Sequence, residues 1–453
     1  MSGGRTLVVG GGLAGSEAAW QLARLGHEVE LVEMRPDVST PAHQTGDLAE
    51  IVCSNSFKSE ALDTAHGLLK AELRKLGCRL LDVADSCRVA AGSALAVDRS
   101  LFSGEVSRRL RAEAPVSVRR EEMSRLPDGP AIIATGPLTS DALARDIGER
   151  LGTSGLAFFD AIAPIFSAES IDGTIAWTAS RYDKGEADYL NCPLTPEEYE
   201  RFVDALLAAD IHAGHDWEGV PYFEGCLPVE VMAARGRDTL RHGPMRPVGL
   251  VDPRTGRRPH AVVQLRREDR AGRMWNLVGF QTRLRRGDQE RVLRLIPGLE
   301  RAEFLRYGSV HRNTYLCFPR LLLPHGGVPG TPELIFAGQL TGVEGYTESI
   351  ASGLLAALNL DRVLRALDPV VPPPTTMLGG LYRYMREADP DSFQPMNANF
   401  GLVDPPAVKV RGRKASREAL AARALADLDV WLREDLATME AGRDVVAPSG
   451  SSR

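Results

Sequence analysis

One unit near the start of the chain restricts its fold more than any other. Thr6-Leu7-Val8-Val9 reads as a buried strand and runs straight into Gly10-Gly11-Gly12-Leu13-Ala14-Gly15. Ala14, Ala18, Leu22 and Leu25 follow at helical spacing and predict a helix over residues 13–25, which Gly26-His27 stops. Val29-Glu30-Leu31-Val32-Glu33 then supplies a second strand that ends in an acid. This order of strand, GxGxxG turn, helix, strand and acid belongs to a doubly wound, Rossmann-type α/β sheet. Gly10 permits the tight turn, Gly12 lets the backbone approach a pyrophosphate, and Gly15 lets helix and strand pack closely. Gly11, Leu13 and Ala14 flank the helix N-terminus, whose free N–H groups serve the phosphates. Glu33 is placed to take ribose hydroxyls. A merely tight turn would not need that acid.

Two later glycine clusters fit FAD rather than NAD. Ala131-Ile132-Ile133-Ala134-Thr135-Gly136 reads as a buried strand ending in a backbone-exposed turn. Leu334-Ile335-Phe336-Ala337-Gly338-Gln339-Leu340-Thr341-Gly342 is a second such element, leading into a helix expected over 347–367. Sites from both ends of the chain make the middle an insertion. The expected fold is α/β: an FAD-binding, glutathione-reductase-like domain with an inserted α+β domain. The expected limits are 1–164 for its first part, 165–310 for the insertion, 311–440 for its second part with C-terminal helices, and 441–453 for a disordered tail. Within the insertion, Thr195-Pro196-Glu197-Glu198 is a capping box opening a helix to about residue 210. Ala261 to Leu265 and Trp275 to Phe280 alternate like paired strands. Residues 369–374 read as a stiff proline linker. Residues 379–388, and then 416–440 with Leu420, Leu425, Leu428, Leu432 and Leu436, read as helices packed on the core.

No apolar run approaches the roughly 20 residues of a membrane span, and the first strand leaves no room for a signal peptide. Six cysteines (53, 78, 87, 192, 226 and 317) lie without pairing or zinc spacing, so reduced cytoplasmic thiols and no metal site are expected. Net charge is −6, but it is unevenly spread: residues 233–294 hold sixteen arginines against six acids, a balance of +10. Such asymmetry suits a polyanion docked on one face, or an arginine-rich surface balanced by acids from elsewhere in the fold.

Two thiols stand out. Cys53 lies in Glu50-Ile51-Val52-Cys53-Ser54-Asn55-Ser56, and Cys226 in Phe223-Glu224-Gly225-Cys226-Leu227-Pro228-Val229-Glu230. They are 173 positions apart and form no CxxC pair, which leans toward nucleophilic rather than disulfide chemistry. Arg235, Arg237 and Arg241 are expected near Cys226. The other four cysteines read as small buried hydrophobes.

Gly10-Gly11-Gly12-Leu13-Ala14-Gly15, the segment 48–56, Phe158-Phe159-Asp160-Ala161, Ser180-Arg181-Tyr182-Asp183-Lys184-Gly185, the segments 222–250, 261–283, 296–314 and 335–353, and Phe393-Gln394-Pro395-Met396-Asn397-Ala398-Asn399-Phe400-Gly401 resemble the bacterial folate- and FAD-dependent tRNA uracil-5-methyltransferases, to about residue 402. The resemblance implies transfer of a methylene from 5,10-methylenetetrahydrofolate to C5 of the T-loop uridine of tRNA (position 54). Reduced FAD then completes the methyl group and NAD(P)H re-reduces the flavin. It implies Cys226 as nucleophile, Cys53 as general acid/base with the two roles exchangeable, and Tyr346 near the flavin, stacked on it or packing a helix start. His311-Arg312-Asn313 has no committed role. Three rival readings remain: the same chemistry on ribosomal RNA, a flavoprotein acting on the tRNA wobble uridine with a GTPase partner, and a flavin-bound RNA-binding protein without turnover.

Overall fold

The computed structural model describes residues 5–40, 42–113, 115–153, 156–183, 187–211, 227–269, 271–391, 393–406 and 410–434; for 156–162 and 310–313 it describes the backbone. Cys226 and the expected tail, 441–453, lie outside the described residues.

Short, largely aliphatic and buried strands, Thr6–Val9, Val29–Glu33 and Ala131–Ile133, form the centre of the first sheet, as a parallel arrangement requires. Its order is Gly327–Val328, Thr331–Phe336, Ala131–Ile133, Thr6–Val9, Val29–Glu33, Val116–Arg120. The last five run parallel, and Gly327–Val328 adds an antiparallel edge. Ile133 pairs with Val9 on one side and with Phe336 on the other. Three neighbouring strands therefore end side by side, and each delivers one glycine turn: Gly10, Gly136 and Gly338.

The fingerprint helix spans Leu13–Arg24, one residue shorter than its spacing predicts, and Gly26 leaves it with φ of 92°. It crosses the helix Tyr346–Leu364 so closely that a Cβ on Gly353 would fall 2.1 Å from the Ala14 carbonyl oxygen. That second helix starts one residue earlier than expected and ends before 367, where Ala366 turns left-handed. Residues 369–374 are docked rather than acting as a spacer: the Asn359 side chain accepts from Val370 N (2.7 Å) and donates to Val370 O (3.0 Å). Two further helices start on glutamates lent by others. Glu17 accepts from the amides of Arg79 and Leu80, and Glu72 from those of Met377 and Leu378. The last described helix is Arg413–Glu434, with Leu420, Leu428 and Trp431 buried and Leu425 and Leu432 partly so.

The second sheet is antiparallel: Trp177–Thr178, Tyr189–Leu194, Ala261–Arg267, Met274–Leu277, Ile165–Ser167, Phe304–Arg306. A separate core of Phe166, Leu194, Tyr199, Phe202, Val263, Leu277 and Phe280 fills one side of it. The expected capping box is present: Thr195 Oγ1 accepts from Glu198 N, and a Glu198 oxygen accepts from Thr195 N at 2.8 Å, opening the helix Pro196–Leu207. Leu156–Ile162 and Ser309–Tyr315 pair antiparallel as a ribbon leading into and out of this sheet. No helix of the described residues is long and apolar enough to cross a membrane.

Candidate active site

A cleft of about 400 Å³ opens at the carboxyl ends of the parallel strands, where open α/β sheets place their ligands. Gly10, Gly12, Leu13, Ala14, Glu33, Gly136, Gly338, Gln339 and Tyr346 line it, and so does Cys53. Gly11 and Gly15, the other two expected cofactor residues, support it from behind. A Cβ on Gly15 would sit 1.8 Å from the Gly10 carbonyl oxygen, so only glycine closes this turn. Gly10 has φ of 98°, and Gly12 begins the helix without a side-chain cap, which leaves the helix N-terminus to a ligand. A cradle that admits no Cβ, next to an uncapped helix start, fits a dinucleotide pyrophosphate.

Glu33 does more than its position in the sequence suggests. One carboxylate oxygen accepts from Gly11 N at 2.7 Å; the other accepts from Arg35 N (3.0 Å) and Arg35 Nε (2.8 Å). The carboxylate thus pins its own glycine loop. Burial pushes its pKa up, but the Arg35 guanidinium and the amides outweigh this and hold it below the ordinary range.

The loop carrying Cys53 is tied from four sides. The Tyr346 hydroxyl accepts from Cys53 N (2.8 Å) and Ser54 N (3.0 Å). Arg99, from the helix Arg99–Ala112, donates to the carbonyls of Ile51 (3.1 Å) and Val52 (2.9 Å). Arg306 donates to Val52 O (3.2 Å) and Ala42 O (3.1 Å). Arg266 donates to Ser54 Oγ (2.8 Å) and Asn55 Oδ1 (2.9 Å), while Asn55 Nδ2 donates to Arg267 O (2.7 Å) and Val97 O (3.0 Å). Glu268, buried, takes Arg99 Nε at 2.5 Å. Burial opposes the charge of all three arginines. Glu268, Tyr346 and Cys53 more than restore it for Arg99, whereas Arg266 and Arg306 stay below the usual guanidinium value.

Tyr346 ties two elements together. Its ring leans on Phe57 at 5.7 Å while its hydroxyl fixes the thiol loop. Burial, with Cys53 beside it, raises its pKa far above the ordinary phenol value. A further set of groups carried no sequence signal. Lys58 and Glu348 line the cleft. The buried Lys70 Nζ donates to Phe57 O (2.8 Å) and His66 O (3.0 Å), its pKa lowered to about 8 by burial despite the nearby Glu348.

The arginine-rich segment differs from a uniform patch. Arg237 pairs with Glu200 and, at 2.7 Å, with Asp204; Arg241 pairs with Asp238 at 2.8 Å. These two are committed to acids rather than held in reserve for a thiol. Arg254 pairs with Asp252, Arg291 with Asp288 and Arg294 with Glu290. Arg283 lies 3.6 Å from Glu230. Arg285 is exposed, and Arg286 rests its guanidinium 5.3 Å from the Tyr307 ring centroid. The side chains of His311, Arg312 and Asn313 lie outside the described residues. Among the described residues no group of acids, histidines and cysteines forms a metal-binding cluster.

The fold and the cleft define a flavoprotein class: an FAD-binding doubly wound domain carrying an inserted sheet. The family model for glucose inhibited division protein A matches residues 5–368. The solved structure of Aquifex aeolicus GidA superposes with a TM-score of 0.69 at 15% identity, over 99% of this chain and 80% of that one. The chain is 56% identical over 428 residues to a Moorella thermoacetica protein named methylenetetrahydrofolate–tRNA-(uracil-5-)-methyltransferase TrmFO, covering 94% of this chain and 97% of that one. It is 55% identical to the protein of the same name from Thermus thermophilus, over 94% and 96% of the two chains. The chain belongs to the TrmFO family.

Proposed function

We propose that this protein is a methylenetetrahydrofolate-dependent tRNA (uracil-5-)-methyltransferase. It moves the methylene of 5,10-methylenetetrahydrofolate to C5 of the T-loop uridine, position 54, and reduces it to methyl. The observation that carries this reading is the placement of Cys53 on the wall of the same cleft as the three glycine turns. Sequence relatives named for this activity support it at 56% identity, against 15% for GidA.

Gly10, Gly12, Leu13, Ala14, Gly136, Gly338 and Gln339 hold FAD along the cleft, and the remaining lone pairs of Glu33 take its ribose. Bound FAD, reduced by NAD(P)H, supplies the hydride that converts methylene to methyl. Uracil C5 is a weak nucleophile, and a thiolate added at C6 turns the ring into an enolate that attacks the donor carbon. Cys226 is the thiol we assign to that addition. Cys53 takes the proton from C5 while the bond between the transferred carbon and the tetrahydrofolate nitrogen breaks, leaving a methylene on C5; hydride added to that carbon expels the Cys226 sulfur and restores the C5=C6 bond. The uridine must leave its stack, at a cost of a few kcal/mol, to reach both thiols. Residues 165–310 form the RNA side, and 1–164 with 311–440 the flavin side.

The test is incubation with 5,10-methylenetetrahydrofolate, NADPH and tRNA or ribosomal RNA transcripts, followed by nucleoside analysis. 5-Methyluridine at position 54 of tRNA is expected. Product in ribosomal RNA alone, a modified wobble uridine, or no product would each remove this reading.

A further inference from the structure

Three guanidiniums and one carboxylate surround a loop of six residues. Arg99, Arg266 and Arg306 come from three separate elements, and the described carboxylate among them is Glu268. Burying charge without compensation is costly, so buried charges are normally matched. Here every guanidinium also donates to the Cys53 loop itself: to Ile51, Val52, Ser54 or Asn55. The cluster is therefore built around that loop, and Cys53 lies within electrostatic reach of Arg99 and Arg306.

We propose that Arg99, Arg266 and Arg306, balanced by Glu268, are positioning residues that fix the Cys53 loop and favour negative charge on the Cys53 sulfur, so that it stands ready to accept a proton. This rests on the role given to Cys53 above. Opposite charge close to a titrating group favours its charged form, and thiolates occur in such electropositive, partly open surroundings. The charged and titratable groups around the loop are Arg99 from the helix Arg99–Ala112, Arg266 and Glu268 at the end of the strand Ala261–Arg267, Arg306 from Phe304–Arg306, Tyr346 from Tyr346–Leu364 and, at the start of the loop itself, Glu50, whose charge is met by Arg35 at 3.0 Å. Tyr346 stays neutral and contributes its oxygen as an acceptor for two amides. Arg306 is the most informative probe, because among the described residues its hydrogen bonds go to backbone carbonyls and not to an acid.

Two readouts test this on the FAD-loaded protein. The first is the rate of Cys53 alkylation by iodoacetamide against pH, read on the Cys53 peptide by mass spectrometry. The second is kcat and KM for methyl transfer against pH. Arg306→Met is expected to raise the alkylation midpoint by about one pH unit and to lower kcat about tenfold at neutral pH, with KM for tRNA unchanged. Arg306→Lys, which keeps the charge, is expected to restore most of the midpoint. Should Arg306→Met fail to retain FAD, Arg306→Lys paired with Glu268→Gln carries the test. Removing the balancing carboxylate is expected to lower the midpoint. Unchanged midpoints and kcat–pH profiles would overturn the proposal, as would an equal rise in the Met and Lys variants. If wild type makes no 5-methyluridine yet the midpoint shifts as stated, the charge role stands and the enzymatic reading falls.

Discussion

The two ends of the cleft are made of different material. The end where we place the nucleotide is built of backbone: glycine turns at the tips of three parallel strands, a helix start without a cap, and one glutamate clamping the loop from behind. The thiol end is built of long charged side chains that reach a loop from one helix and two strands of the second sheet. A backbone site fails when an atom is added, because its tolerances are steric. A side-chain cage fails when a charge is removed, because its geometry depends on hydrogen bonds to carbonyls.

The contrast is open to direct attack. The largest effect is expected for Gly15→Ala, whose new Cβ would overlap the Gly10 carbonyl oxygen at 1.8 Å. Neither neighbour can yield without moving the strand, so the variant should lose about 3 kcal/mol or more and most of its bound flavin. Flavin absorbance per chain and thermal melting check both; normal flavin content would show that the turn tolerates added atoms. Next comes Cys53→Ala, expected to keep FAD and fold while methyl transfer drops ~100-fold or more. Single-turnover kinetics with tRNA would reveal a smaller loss, and with it a minor part for this thiol.

A third experiment looks for buried charge on the nucleotide side. Burial raises Glu72 from the ordinary 4.5 to about 8, against the two helix amides that favour its charged form. A raised carboxyl contributes stability while protonated and loses it as pH climbs from about 4.5 through 8. Wild type should therefore lose stability across that window that Glu72→Gln, which keeps an acceptor oxygen, does not lose. Denaturant midpoints at a series of pH values decide it; parallel curves would remove the effect. The smallest change is expected for the double variant Arg285→Glu/Arg286→Glu, with tRNA binding a few-fold weaker and a shallower salt dependence. Arg283→Glu instead should lower stability, because Arg283 sits over the buried Glu230. Filter binding at two salt concentrations, beside melting curves, separates these outcomes.

The nucleotide end was legible because its constraints fall on adjacent residues: a GxGxxG turn or a strand ending in glycine carries its own geometry. The three turns at Gly10, Gly136 and Gly338 converge because their strands are neighbours in the sheet. The thiol cage was not legible in this way. Arg99, Arg266 and Arg306 lie in a helix and two strands with no shared spacing, and only the tertiary fold brings them to one loop. The same limit explains the arginine-rich segment: counting charge along the chain could not reveal that Arg237 leans on Glu200 and Asp204, outside the counted stretch. Tyr346 lines the same cleft as Cys53, but its hydroxyl bonds to Cys53 and Ser54 needed coordinates.

The tight crossing of Leu13–Arg24 over Tyr346–Leu364 has a consequence for the nascent chain. Ala14 leaves the ribosome some 340 residues before Gly353. At ordinary synthesis rates that interval lasts on the order of tens of seconds. Throughout it, the first helix carries an apolar face whose cover has not yet been made. That face stays without its partner helix until synthesis has passed Gly353, and any pause within the inserted sheet lengthens the exposure.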